Sequence, residues 1–171
     1  NSKGLNLSNK SNLLTAYVVP IVKDLDKMYD GCGYVVAKSL NDVKPDKIAK
    51  MGVDEALSKI GGTSIASGNY KVIINNEAMV SLLSTFAGIF SGDAVQKGLS
   101  LLKDKEGEII AADIVNLVDD PHLEDGLASV SFDDEGVATL KTYLIKNGKL
   151  NSLLHNLKTA NKAGVKSTGN G

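Results

Sequence analysis

The 171 residues carry 43% hydrophobic and 23% charged side chains, a length and balance that fit one globular domain folding without disulfide staples. The formal net charge of -1 supplies no field to draw in nucleic acid. All 19 basic residues are lysine, so the forked guanidinium that grips phosphate or guanine is missing. No apolar run reaches the roughly 18 residues of a membrane span, and no basic-then-apolar leader opens the chain. Cys32 is the single cysteine, which fits a reducing, cytoplasmic setting, and its Gly31 and Gly33 neighbours favour a small-residue role over a nucleophilic one.

In chain order, Leu13 to Val22 alternates with apolar residues on both faces and predicts a strand covered on two sides. Pro20 lacks an amide donor and marks an edge, a bulge or the strand's end. Lys23–Asp30 reads as a long polar hairpin loop, and Tyr34–Ala37 as the returning strand. Pro45 and Asp46 open a helix that Gly61-Gly62 stop. Its apolar stripe is Ile48, Met51, Leu57 and Ile60 with Ala49, Val53 and Ala56. Tyr70–Ile74 then predicts a short buried strand.

Glu77 to Phe90 predicts a second helix with no charged residue between Ala78 and Gly92. Apolar residues lie nearly all round it, as expected of a helix buried in a core or under a partner. The hydroxyls of Ser81, Ser84 and Thr85 can return their bonds to the helix backbone. A helix break falls at Ser91-Gly92-Asp93, where Ser91 or Asp93 is placed to cap the next segment. Ile114–Val118 reads as a strand ending at Asp119-Asp120-Pro121, and Asp133-Asp134-Glu135-Gly136 as an acidic turn with Gly136 at positive φ. Asn147-Gly148 is the favoured type I′ pair and predicts a hairpin over Thr139–Leu154, with Tyr143 and Ile145 facing Leu150 and Leu154. Leu157–Ala163 reads as a helix ended by Gly164, and the tail Ser167–Gly171 is too polar to pack by itself. The fold expected is α+β: a mixed, mainly antiparallel sheet with two covering helices.

No motif completes a catalytic site. A zinc hydrolase needs converging histidines or carboxylates and a glutamate base. Only His122 and His155 are present, more than thirty residues apart. His122 lies in a ligand-rich stretch, Asp119 to Asp125, that fails the calcium-loop pattern and reads as a solvated acidic turn; His155 reads as a surface or satisfied histidine. Ser91-Gly92-Asp93 with Lys97-Gly98 lacks phosphate-loop spacing, and no serine occupies a nucleophile elbow.

The order of six segments carries what no single motif does. These are Asn1-Ser2-Lys3-Gly4-Leu5, Gly92-Asp93-Ala94-Val95-Gln96-Lys97-Gly98, Leu117-Val118-Asp119-Asp120-Pro121, Phe132-Asp133-Asp134-Glu135-Gly136-Val137, Leu144-Ile145-Lys146-Asn147-Gly148 and Ser167-Thr168-Gly169-Asn170-Gly171. Together they resemble the TldD/PmbA family, once called modulators of DNA gyrase, and within it the PmbA (TldE) branch. The resemblance covers essentially the whole chain. It implies that residues 1–171 are one central piece of a longer protein, with a candidate sub-boundary near 62–69. It also implies a cytoplasmic heterodimer of TldD and TldE subunits, a zinc peptidase that trims unfolded and precursor peptides.

The TldD branch carries a His-Glu-x-x-x-His helix just before its Gly-Asp…Lys-Gly stretch. Counting back from Gly92, its histidine positions fall on Leu83 and Gly88 and its glutamate on Ser84. The resemblance therefore implies no catalytic or metal residue in this chain, with zinc in a TldD-like catalytic partner. Gly92, Lys97, Gly98, Asp119, Asp120, Asp133, Glu135 and Gly136 become structural family residues. The partners implied are that subunit and unfolded peptide, without nucleic acid or membrane; a homodimer is open to the chain in isolation. Two alternatives stand beside this reading. One is an autonomous metal-dependent peptidase using Asp119, Asp120, His122, Asp133 and Glu135; the other is a peptide-binding protein without cleavage.

Overall fold

The computed structural model describes residues 2–171. The chain divides into two compact units, Lys10–Lys71 and a second made of the residues up to Asn9 together with Val72–Gly171.

In the first unit, β1 (Leu14–Val18) pairs antiparallel with β4 (Gly33–Ala37), and β2 (Ile21–Asp24) pairs antiparallel with β3 (Lys27–Asp30). The expected single strand over Leu13–Val22 is thus broken at Val19-Pro20, where the proline cannot donate to a ladder. Lys23–Asp30 is a tight hairpin and not a long loop. Leu25, at φ 54°, takes a left-handed turn position that sequence alone does not advertise for a leucine.

Helix α1 (Pro45–Ser58) starts and stops as the sequence predicts, but its buried stripe is Ile48, Gly52 and Ala56. Met51, Val53, Leu57 and Ile60 remain exposed. The reason is glycine-mediated close approach. A Cβ on Gly33 would lie 1.8 Å from the Ile48 carbonyl oxygen, and one on Gly31 2.1 Å from that of Gly52. Pro20 packs on Gly52 from the same side. The backbones meet where side chains would otherwise stand, so the face with the glycine is the one that packs.

In the second unit, α2 (Asn76–Phe86) is followed by a 3-10 turn, Ala87–Phe90, and by α3 (Gly92–Gln96). Strands β5 (Leu117–Asp119), β6 (Thr142–Lys146) and β7 (Lys149–Leu150) form an antiparallel sheet in that order. The chain ends with α4 (Leu157–Ala163) and the tail. The α+β class with small antiparallel sheets is the one the sequence predicts. The hairpin registers Ile145 with Leu150 as expected, and Asn147 and Gly148 take φ of 49° and 76°. Leu154 does not face Tyr143; it leaves the hairpin and bridges Ser91 in parallel.

The core of this unit is Phe90, Leu102, Leu144, Ile145, Leu150 and Leu153. Each such side chain contributes about 1.5–3 kcal/mol when removed from water. Two segments depart from expectation. Tyr70–Ile74 forms no strand and is exposed, with Ile73 98% accessible; a strand needs a partner edge, and none lies beside it among the described residues. Helix α2 buries none of its residues, although its sequence is that of a covered helix. No helix among the described residues is long and apolar enough to cross a membrane.

Candidate functional site

Helix α2 is capped by Asn75, whose side chain accepts from the Ala78 amide at 2.7 Å. Thr85 returns its hydroxyl to the Ser81 carbonyl at 2.9 Å, as the uncharged sequence predicts. Leu83 and Ser84 line an apolar cleft of about 250 Å³ with Phe90, Leu117, Leu144 and Leu154, and Asp119 at one side. Gly88 lies in the 3-10 turn, and a Cβ there would meet open space. An aliphatic chain, a hydroxyl and a hydrogen atom are a donor set that does not fit zinc, which takes imidazole, thiolate or carboxylate.

The next family segment closes on His155. Ser91 caps α3 by accepting from the Asp93 amide at 3.2 Å. The Gly92 amide donates to the Leu154 carbonyl at 2.8 Å, and the Leu154 amide to that of Phe90 at 2.9 Å. Gly92 sits against the buried imidazole of His155, whose Nδ1 is 3.2 Å from the Thr159 hydroxyl. Lys97 pairs with Asp93 at 2.6 Å and holds that carboxyl below its ordinary value, with Lys158 and Lys162 adding to the effect. Gly98 supplies the positive φ, 71°, that ends the turn.

The acidic motifs meet the tail. Asp133, buried, accepts from the amides of Glu135 at 3.0 Å and Val137 at 2.8 Å with one oxygen. Its other oxygen accepts from the Gly171 amide at 2.8 Å. Glu135 accepts from the Leu157 amide at 2.7 Å, at the first turn of α4. Gly136 has φ 79°, as the turn predicts. Asn170 donates to Asp119 at 2.9 Å, and Thr168 exchanges bonds with the backbone of His155. The tail is therefore not loose: its polarity is what ties it down.

Asp120 accepts from the His122 amide at 3.2 Å and pairs with Lys141 at 2.7 Å; the lysine first, then the amide, holds its carboxyl below the ordinary range. His122 Nε2 lies 3.0 Å from the Thr139 carbonyl. Asp119, Asp120, His122, Asp133 and Glu135 thus face different partners. Among the described residues, no three His, Cys, Asp or Glu side chains gather to hold a metal ion. Asn170 belongs to a family segment but was given no role by the sequence, and Thr159 is a polar partner that sequence patterns did not single out. The Asn156-x-x-Thr159 capping box was the one local signal for the latter.

Fold and site together define a small α+β module whose motif carboxylates bind backbone amides, the Asn170 side chain and the Lys141 ammonium. The family model for the PmbA/TldA metallopeptidase C-terminal domain matches residues 67–171. A metalloprotease PmbA homolog of Buchnera aphidicola is 34% identical over 99% of this chain and 38% of its own length. A Thermotoga maritima protein described as a candidate modulator of a DNA gyrase superposes with a TM-score of 0.88 at 41% identity, over 92% of this chain and 36% of that one. TldE of Thermococcus kodakarensis gives a TM-score of 0.72 at 26% identity, over 93% of this chain and 36% of that one. The chain belongs to the PmbA/TldD metallopeptidase family, which includes members named TldD and TldE. It spans between about a quarter and two fifths of the length of the curated relatives it matches.

Proposed function

We propose that this chain is the non-catalytic, TldE-type part of a heterodimeric zinc peptidase that processes unfolded or precursor peptides in the cytoplasm. Its role is to complete the substrate channel and hold the geometry of a TldD-like catalytic subunit, which carries the zinc. The observation that supports this reading is the donor set of the uncharged helix. Leu83, Ser84 and Gly88 stand where the TldD branch, by the resemblance, has His, Glu and His, and none can bind zinc or take a proton from bound water. The likeness to a TldE structure agrees with it. Gly92, Lys97, Gly98, Asp119, Asp120, Asp133, Glu135 and Gly136 then serve the fold and take no part in catalysis.

The relatives' metalloprotease names favour a second reading, an autonomous peptidase. Mixing the full-length protein with a TldD-type partner decides between them. The expected result is zinc-dependent cleavage of an unfolded peptide by the mixture, with each subunit inert alone. Chelator-sensitive cleavage by the single subunit overturns the proposal; capture of peptide without cleavage in any mixture does so in favour of a binding protein.

A further inference from the structure

We infer that the cleft beside α2 receives a lysine side chain of an extended peptide, its stem against Leu83, Phe90 and Leu144 and its ammonium on Asp119. This deepens the peptide-handling role proposed above and rests on it. At about 250 Å³ the cleft is smaller than the roughly 300–1,000 Å³ of sites that enclose whole small molecules, so it takes one side chain. Asp119 is the single ionisable residue among those lining it. Its Oδ2 accepts from Asn170, which fixes the carboxylate, and among the described residues no lysine pairs with it. Its neighbour Asp120, by contrast, is taken by Lys141.

Asp119 lies at the border of this cleft and the neighbouring cavity that Asn170 also lines, so a cationic head there meets its carboxylate, whereas an uncharged occupant gains nothing from it and an anionic one meets repulsion. A lysine satisfies both walls, because its four-carbon stem lies along apolar surface while the head reaches a charge. Helix α2 carries no charge after Glu77, so nothing on that wall competes for the ammonium or repels it.

The test is titration of the full-length protein, perdeuterated and 15N-labelled, with the capped peptide Gly-Gly-Lys-Gly-Gly, beside versions bearing norleucine or glutamate in place of lysine. The lysine peptide should shift the amides of Leu83, Phe90 and Asp119 and bind roughly tenfold or more tightly than the norleucine peptide. Added salt should weaken it. Asp119→Asn should erase the preference with circular dichroism unchanged, and Leu83→Gln, on the exposed helix, should weaken both peptides. Equal binding of the norleucine peptide, or no shift at the cleft, overturns the inference. Because this titration needs no partner, its failure leaves the zinc-dependent mixing result standing, and the reverse holds.

Discussion

The α-carbon of Gly92 lies against the imidazole of His155, so that a Cβ there would come within 2.4 Å of Nδ1. The ring is buried and tied to Thr159, and the Leu154 carbonyl crowds the same point at 3.1 Å. Gly92→Ala should therefore cost about 1–3 kcal/mol, as overpacking of a filled site does. Urea unfolding checks it, and His155→Ala in the same chain should return part of the loss.

Asp133 holds three backbone amides from two distant segments. Asp133→Ala should leave three part-buried amide bonds unmade and lower stability by about 1–3 kcal/mol. Hydrogen exchange is the sharper readout. The amides of Val137 and Gly171 should lose protection together, because one carboxylate serves both.

Glu55 accepts from the Cys32 amide at 2.7 Å and pairs with Lys59 at 3.0 Å. The amide first, and then the lysine, hold its carboxyl below the ordinary value of 4.5, while Glu55 raises the Lys59 ammonium above 10.5. A carboxyl lowered by folding stabilises above its unfolded value and loses that contribution as pH falls through the folded one. The lysine's contribution is present below its unfolded value and fades as pH rises through the folded one. Stability from this pair is thus flat through neutrality. Thermal midpoints of Glu55→Gln should match the parent most closely in acid and differ at neutral pH.

Two phenylalanines four residues apart should behave oppositely. Phe86 is 56% exposed on α2, and Phe90 is 7% exposed in the core. Phe86→Lys should change the chain's own stability by no more than about 0.5 kcal/mol, whereas Phe90→Ala should cost about 3–5 kcal/mol. Parallel denaturation curves decide it, and equal losses would refute the burial assignment.

The elements that local chemistry dictates were legible in the sequence: α1 from Pro45 to its glycine stop, the Asn147-Gly148 hairpin, α4, and the Gly136 turn. Each depends on φ preferences or caps that act within a few residues. The Leu25 turn escaped because a leucine at positive φ is held by the flanking ladder and not by its own preference. Burial was the other limit. Hydrophobic periodicity marked α2 and Tyr70–Ile74 as covered, but it reports what a segment can pack against and not whether a neighbour is there. Tertiary structure alone decided that Gly52 and not Met51 faces the hairpin, and that Asp133, Asn170 and His155 draw distant motifs together. Those contacts join residues tens of positions apart, and no local rule links such positions until the backbone has brought them within hydrogen-bond reach.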